Sequence, residues 1–459
     1  MELSDKSNIK EPVKGFKYGL YTLLRLGYLL ICLFITAIFS LLLFLYKIAG
    51  RMKPGTTITG RSLTFLLQCM GPTYIKLGQV ASTRPDILGW KLANDLRELQ
   101  CRVRPMSQRI VKSIIKKEYG PEWQRLFVFF DLSPVASGSI AQVHRAKLFS
   151  GEEVAVKVQR PGLKKIMQLD FYFMLACGKF IGRHRRFGHL PAEELIEELR
   201  TSILSQLDFD REANDLMTIK DNTQIDYVYL PHVYLPYCRS QVIVMEFIRG
   251  LSDKEVDKLP DANKTKLAEA GLRMLFKMIF EDGLIHADLH KGNIFFHMDK
   301  IILVDFGLLA RLDKKSRMQF RDLFIAMATN NGKSCSRIIL ETAAAVPSSF
   351  VPEAFTAELT NRLEGFAGKS VHDFEVVKFV SMLFELQHKY RIRSSTEFTM
   401  TIVSLLMYEG LLKELAPNTD FQQIAMDCLL SVKAAALSSE ERAVVFEELK
   451  ASVQGLGSV

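Results

Sequence analysis

Ile285-His286-Ala287-Asp288-Leu289-His290-Lys291-Gly292-Asn293, followed by Val304-Asp305-Phe306-Gly307, decides how this chain folds. An Asp precedes an Asn by five residues, and a second Asp opens an Asp-Phe-Gly after one short apolar run. That is the spacing of a phosphoryl-transfer site, with Asp288 beside the attacking oxygen and Asn293 and Asp305 on magnesium. Neither half says much alone, since an Asp-Phe-Gly often only marks a strand end. His286 and His290 around Asp288 also suggest a metal site. Two histidines four apart hold zinc well only on a helix, however, and Gly292 with the apolar strand before it argues for a loop. The pair of motifs predicts what must stand upstream.

The upstream parts are present. Ala136-Ser137-Gly138-Ser139-Ile140-Ala141-Gln142-Val143 keeps the register of a kinase nucleotide loop, G-x-G-x-x-G-x-V, with alanine for two of the three glycines. Small residues still let the backbone approach phosphates, but alanine resists positive φ, so a stiffer loop is expected. Lys157, in Val154-Ala155-Val156-Lys157, is the strand-borne lysine for the α/β-phosphates, reached through a Ser150-Gly151-Glu152 turn. Asp208-Phe209-Asp210-Arg211-Glu212-Ala213 is helical in pattern and offers Glu212 to orient Lys157. Val242 to Phe247 reads as an apolar strand entering a hinge, where backbone groups of Glu246 and Phe247 meet adenine. Taken singly, Lys157 is an outward residue on a half-buried strand and Gly138 a turn. Their joint order carries the assignment.

Here the chain resembles the UbiB/AarF (ABC1-type) family of atypical kinases, which includes the ubiquinone-biosynthesis kinase-like proteins. The resemblance spans roughly residues 60–430. Its diagnostic part is Gly71-Pro72-Thr73-Tyr74-Ile75-Lys76-Leu77-Gly78-Gln79 with Ser82-Thr83-Arg84-Pro85-Asp86, the family's K-x-G-Q element, which ordinary protein kinases lack. The alanine-rich nucleotide loop is its second hallmark. The resemblance implies an α+β, atypical protein-kinase-like two-lobed fold, ATP and Mg2+ as cofactors, and a K-x-G-Q helix that lies over the active site and blocks protein substrates. On this chain Lys76 and Gln79 would do so, with Gln206 and Asp208 where the family usually shows Glu-x-Asp.

Three departures follow. Gln206 is neutral, so only Asp208 of that triplet can pair with Lys76, which loosens the inhibitory helix. Lys291 stands where many relatives have proline, which makes that loop less rigid. Gly138 stands where many have alanine, which eases flexing of the nucleotide loop.

Composition agrees with a large core: 48% of the 459 residues are hydrophobic. Cys32, Cys69, Cys101, Cys177, Cys238, Cys335 and Cys428 are scattered with no C-x-x-C pair, as buried thiols in a reducing compartment would be. The net charge of +9 comes without a nucleic-acid motif, so no nucleic-acid partner is expected; an anionic membrane surface explains it better. Leu26 to Tyr46 is free of charge between Arg25 and Lys47, and at 1.5 Å per residue it spans roughly 30 Å, a bilayer core. A secretory signal would be shorter and cleavable, and Lys47, Arg51 and Lys53 argue against cleavage. A mitochondrial presequence is disfavoured by Glu2, Asp5 and Glu11. Basic residues flank both sides, so orientation is poorly set. ATP dependence and free thiols favour a cytoplasmic catalytic domain, on a bacterial inner membrane.

The expected organisation is a polar tail at 1–25 and a single transmembrane helix at 26–47. A linker at Lys53–Thr57 leads to a helical extension at 58–130. A small lobe follows at 131–250, and a helical lobe at 251–459. No Ala-Pro-Glu follows Asp305 and helix resumes near Lys314, which leaves no room for a long activation loop. Phe398 to Leu412 is apolar, broken by Glu409, and reads as core rather than span. Lys157 neutralises α/β-phosphate charge, Glu212 holds it, Asp305 and Asn293 ligate magnesium, and Asp288 positions the acceptor hydroxyl or water. Two function classes stay open. One is a membrane-anchored ATPase or kinase of ubiquinone or related isoprenoid-lipid biosynthesis, with membrane lipids and quinone-biosynthesis enzymes or an isoprenoid small molecule as partners. The other is a non-catalytic nucleotide-dependent scaffold or lipid-binding pseudokinase.

Overall fold

A computed structural model describes residues 16–48, 58–96, 99, 104–182, 192–252, 255–290, 292–297, 299–364 and 376–417, with scattered positions to 429. Lys291, Cys101 and the Lys53–Thr57 linker lie outside the described residues. The chain divides into two units: residues 1–79, 95–100 and 162–196, and the remainder.

The first unit is helical. α1 (Phe16–Ile48) begins inside the expected polar tail, because Phe16 to Leu24 already continue its apolar run. Among the described residues, its stretch Leu23–Ile48 is long and apolar enough to cross a membrane, with a mean hydropathy of 2.8. Leu30, Ile31, Phe34, Leu41 and Leu45 are exposed on it. α2 (Ile58–Met70) packs beside it through a Phe39–Phe65 stack and a Ser40–Ser62 hydrogen bond of 2.7 Å. Arg25 does not act as a free flanking charge. It forms a two-pronged ion pair with Asp170 of α7 (Leu163–Gly182), 2.8 Å on each prong, and also donates to the Met70 carbonyl. α3 (Pro72–Ser82) carries the K-x-G-Q element.

The second unit has a small lobe built on a five-stranded sheet. β1 (Phe127–Phe130), β3 (Ala141–Leu148), β4 (Glu153–Gln159) and β6 (Val242–Glu246) lie in that order, with β2 (Ala136–Ser137) paired to β3. The sheet therefore starts within the span expected to be helical, at residue 127. Alternation along β4 decides which side chains reach the cleft. Val154, Val156 and Val158 face a core shared with Val111, Ile114 and Ile115 of α6 (Gln108–Tyr119) and with Trp123 and Phe127. Ala155, Lys157 and Gln159 face the opposite way, and Gln159 donates to the Leu207 carbonyl there. That carbonyl lies between α8 (Ala192–Ser205) and α9 (Phe209–Asn222), and the Asp208 side chain caps α9 by accepting from Arg211 N at 3.0 Å.

The helical lobe is centred on α10 (Asp261–Lys277) and α15 (Thr396–Leu415). Gly271 lets them approach: a Cβ there would sit 2.0 Å from the Tyr408 hydroxyl, which donates to the Ala268 carbonyl. Twelve residues of α15 are buried, so Phe398 to Leu412 is core. Glu409 is buried with them and paired to Lys413 at 3.0 Å. α10 runs into a π-helical turn, Met278–Asp282, of the kind that marks functional sites. Gly283 ends it at φ +72, where a Cβ would strike the Leu312 carbonyl at 2.4 Å.

The strands after that turn carry the catalytic segment. β7 (Leu284–His286) pairs with β10 (Leu309–Arg311), and β8 (Ile294–His297) pairs with β9 (Lys300–Leu303), which also meets β5 (Val228–Tyr229). Helix resumes at α11 (Lys314–Ala328), so only residues 306–313 separate Asp305 from it. One further strand pair, Ala343–Ala345 with Arg393–Ser394, interrupts the otherwise helical remainder.

Arg84, Pro85 and Asp86 belong to this second unit. Arg84 is 2% exposed and its guanidinium is fully engaged. It meets Asp86 at 3.0 and 2.8 Å, Glu198 at 3.0 Å, Thr396 Oγ1 at 2.8 Å and the Ser394 carbonyl at 3.2 Å.

Candidate nucleotide and phosphoryl-transfer site

Lys157 is the hub. Its ammonium lies 2.6 Å from Glu212 Oε1 and 3.0 Å from Asp305 Oδ1. Burial alone would lower its pKa, but the two carboxylates outweigh that and raise it, so Lys157 stays charged. Lys157 and Glu212 are almost fully buried, while the Asp305 side chain is 51% exposed. The buried pair is set before any ligand arrives, and the carboxylate at its edge reaches solvent.

Asp305 holds its backbone at φ +61, the left-handed region. Non-glycine residues occupy it at a cost, and such outliers gather at functional sites. Two contacts hold it. Its own Oδ1 accepts from Gly307 N at 3.2 Å, and its carbonyl faces His286 Nε2 at 2.9 Å. His286 Nδ1 accepts from Asp288 N at 3.2 Å, so the proton sits on Nε2, which donates to Asp305. Burial lowers the pKa of His286 and keeps the ring neutral. Both of its nitrogens are therefore spent on backbone groups, which ties the two motif segments together and leaves no lone pair for a metal.

Asn293 is 6% exposed. Its amide N–H donates to the Asp288 carbonyl at 2.9 Å, which turns Oδ1 away with no partner among the described residues. The Asp288 carboxylate accepts no hydrogen bond there either; His290 Nε2 lies 3.6 Å from it. His290 Nδ1 is occupied by Gly292 N at 2.9 Å. Among the described residues no cluster of three or more His, Cys, Asp or Glu could hold a metal ion. One carboxylate and one amide oxygen are what magnesium asks of a protein, because it keeps waters and substrate phosphates for the rest of its shell. Asp305 and Asn293 fit that ion and do not fit a zinc cage.

The nucleotide loop is a tight hairpin. Ala136 and Ser137 pair with Val143 and Gln142, and Gly138 N closes on the Ala141 carbonyl at 2.8 Å. No residue of it has positive φ, and a Cβ on Gly138 would find its nearest atom at 3.6 Å, so the alanines cost it nothing in this conformation. The side chains of Ser139 and Ile140 turn inward, while their N–H groups meet no acceptor among the described residues, as a phosphate cradle needs. The stiffness has a second source that the sequence reading missed. Arg160 donates from Nε to the Gly138 carbonyl at 2.9 Å, and from Nη2 to Ser137 Oγ and the Arg104 carbonyl at 2.9 and 3.0 Å. An arginine placed just beyond a strand has no periodicity to betray it.

At the hinge the structure narrows which backbone groups can serve. Glu246 N donates to the His232 carbonyl at 2.7 Å and Phe247 N to the Glu153 carbonyl at 3.0 Å. The Glu246 carboxylate accepts from Tyr229 Oη at 2.7 Å. Both N–H groups are engaged within the lobe, so only the carbonyls of Glu246 and Phe247 are left to meet adenine there.

The regulatory residues divide between the units. In the first, Gln79 donates to the Leu99 carbonyl at 2.9 Å, and Gly78 admits the side chains of Leu99 and Leu67, which a Cβ would meet at 2.3 and 2.7 Å. Lys76 is half-buried on the same helix. In the second, Gln206 is 5% exposed and donates weakly to the Ser202 carbonyl at 3.4 Å, while Asp208 is occupied as the α9 cap.

Comparisons with known proteins identify the family. Residues 98–339 match the model of the ABC1 atypical kinase-like domain. A relative from Aeromonas hydrophila named "Probable protein kinase UbiB" is 31% identical over 377 residues, covering 80% of this chain and 69% of its own. One of the same name from Pseudomonas entomophila is 31% identical over 382 residues, covering 81% and 71%. Among solved structures, a Mycobacterium tuberculosis protein in complex with erythromycin aligns at a TM-score of 0.48 and 20% identity, covering 68% of this chain and 84% of its own.

Proposed function

Because this chain belongs to the ABC1 atypical kinase-like family, with UbiB-named relatives, we propose that it is a membrane-anchored, Mg-ATP-dependent phosphotransferase or ATPase. It serves the biosynthesis of ubiquinone or a related isoprenoid lipid. One observation carries the catalytic part: Glu212 and Asp305 are assembled around a charged Lys157, with Asp305 half-exposed and the Asn293 amide oxygen without a partner among the described residues.

Each residue then has a role. Lys157 offsets α/β-phosphate charge as a compact cation held by Glu212. Asp305 and Asn293 would hold magnesium, which would supply positive charge to offset that on the transferred group. Asp288, whose carboxylate accepts no hydrogen bond among the described residues, orients the acceptor oxygen and takes its proton. His286 fixes the spacing of the two motif segments. Positioning and electrostatics supply most of what phosphoryl transfer needs.

With only residues 306–313 before α11, no long peptide-docking segment follows Asp305, which favours water or a small acceptor over a protein. Lys76 and Gln79 are assigned to restraint of turnover. The apolar stretch Leu23–Ile48 supports a single-pass anchor; dependence on ATP is the ground for assigning the catalytic unit to the bacterial cytoplasm.

The test is ATP hydrolysis by the full chain in lipid nanodiscs, with Mg2+ and with excess chelator, beside Asp305→Asn. Turnover that needs Mg2+ and is lost in the variant supports the reading. Nucleotide binding without turnover in any lipid would replace it with the scaffold.

A further inference from the structure

The proposed reaction leaves one face of the small lobe unused. α6 presents Arg109, Lys112 and Lys116 along one side, above an open groove of about 860 Å³. The opposite wall is apolar, formed by Trp123, Phe127, Phe129 and Phe149, with Val128 and Leu132 beside them. The groove sits on the far side of the sheet from Lys157, since α6 packs on the Val154, Val156 and Val158 face.

Two features of this groove are unusual for a plain surface. Val128, Phe129 and Phe149 are 57%, 49% and 65% exposed, a contiguous apolar rim of the kind that marks an interaction site. Arg109, Lys112 and Lys116 make no ion pair or hydrogen bond among the described residues, and no carboxylate lines the groove. The nearby acids are engaged elsewhere: Glu122 with Arg125, Glu118 with Ser240, and Asp131 with Ser133 N. Three uncompensated cations over an aromatic and aliphatic trough match a ligand with an anionic head and a hydrocarbon tail. Volumes of this size hold one such molecule.

We propose that this groove binds an anionic phospholipid, with its phosphate on Arg109, Lys112 and Lys116 and an acyl chain along Phe127, Phe129 and Phe149. The long apolar stems of the cations suit that boundary between head and tail. A single-stranded nucleic acid would also find cations and rings. The chain carries a helix apolar enough for a membrane, however, which favours a lipid over a nucleic acid as the ligand. The assignment is independent of ATP turnover.

Trp123, in the groove wall, supplies the readout. The chain has two tryptophans, and Trp90 stacks on Phe384 away from the groove, where Trp90→Phe keeps a ring. In that background the full chain, held in a neutral detergent, is titrated with phosphatidylglycerol or phosphatidylcholine brominated on the acyl chain. Saturable quenching of Trp123 by the anionic lipid, at a midpoint well below that of the zwitterionic one, is the expected result. The combined Arg109→Ser, Lys112→Ser, Lys116→Ser variant should weaken the anionic lipid by about fivefold per cation removed and leave the zwitterionic one unchanged. All three positions are exposed, so unquenched emission and melting temperature serve as the check on folding. Equal quenching by both lipids, an unchanged midpoint in the charge variant, or displacement of the lipid by oligonucleotide at lower concentration than by unbrominated phosphatidylglycerol would each overturn the proposal.

Discussion

Two buried ionic clusters in the second unit use the same chemistry to opposite ends. Around Arg84, the guanidinium finds Asp86, Glu198, Thr396 and the Ser394 carbonyl, and Arg84 and Asp86 are both essentially closed to water. Around Lys157, the ammonium finds Glu212 and Asp305, but the cluster ends in a carboxylate that is half in water, near an amide oxygen that accepts nothing from the described residues. A buried charge is tolerated when its partners are in place and is expensive when one is removed. The first cluster spends that rule on the fold. The second leaves part of it unspent, for a ligand.

The sharpest way to break the comparison is to remove one member of each cluster and read both stability and turnover. Arg84→Ala should cost about 3–5 kcal/mol of stability, because it strands Asp86 and Glu198, and denaturant unfolding of the full chain reads it. Asp305→Asn should lower turnover about 100–1000-fold, as loss of a charge-stabilising group does, and leave the unfolding midpoint near wild type. If Asp305→Asn unfolds the protein as far as Arg84→Ala does, the two clusters are alike and the contrast is lost.

Protonation separates them next. His286 is neutral and buried, with a pKa below its ordinary 6.5. The unfolded chain therefore binds the proton more readily. The stability this ring contributes is fully present above pH 6.5 and is lost as pH falls below it. Melting temperatures taken downward from pH 7.5 should fall more steeply for wild type than for His286→Gln, whereas parallel curves would remove the ring from the account. Arg160→Ala should raise KM for ATP several-fold with little change in kcat, since it loses three hydrogen bonds worth about 0.5–1.5 kcal/mol each that only hold the loop. Smallest is Asp208→Ala, expected to cost about 1 kcal/mol through the lost α9 cap, as thermal melting would show.

The sequence was a good guide wherever one residue does its work from a regular position. Lys157 faces the cleft because β4 alternates, Glu212 stands in the first turn of α9, and Asp288, Asn293 and Asp305 are spaced by a loop and one hairpin; all of that is visible in the order of residues. It was a poor guide wherever the partner is distant. Nothing near Arg160 announces Arg104 or Gly138, and nothing near Phe247 announces that Glu153 will take its N–H. Arg25 looked like the flank of a span until Asp170 arrived from 145 residues away. The strand Phe127–Phe130 hid in an expected helical stretch, because four apolar residues show no period of their own.

The left-handed backbone at Asp305 narrows the alphabet that evolution or a designer can write there. Asparagine shares aspartate's tolerance of that conformation, whereas alanine, glutamate and branched residues do not. Of the replacements that silence the metal ligand, Asp305→Asn is therefore the one that leaves the chain path undisturbed, and Asp305→Ala confounds chemistry with shape. A drift toward inactivity in this lineage should pass through asparagine first, and that residue at this position in a related chain would read as a silenced site on an intact frame.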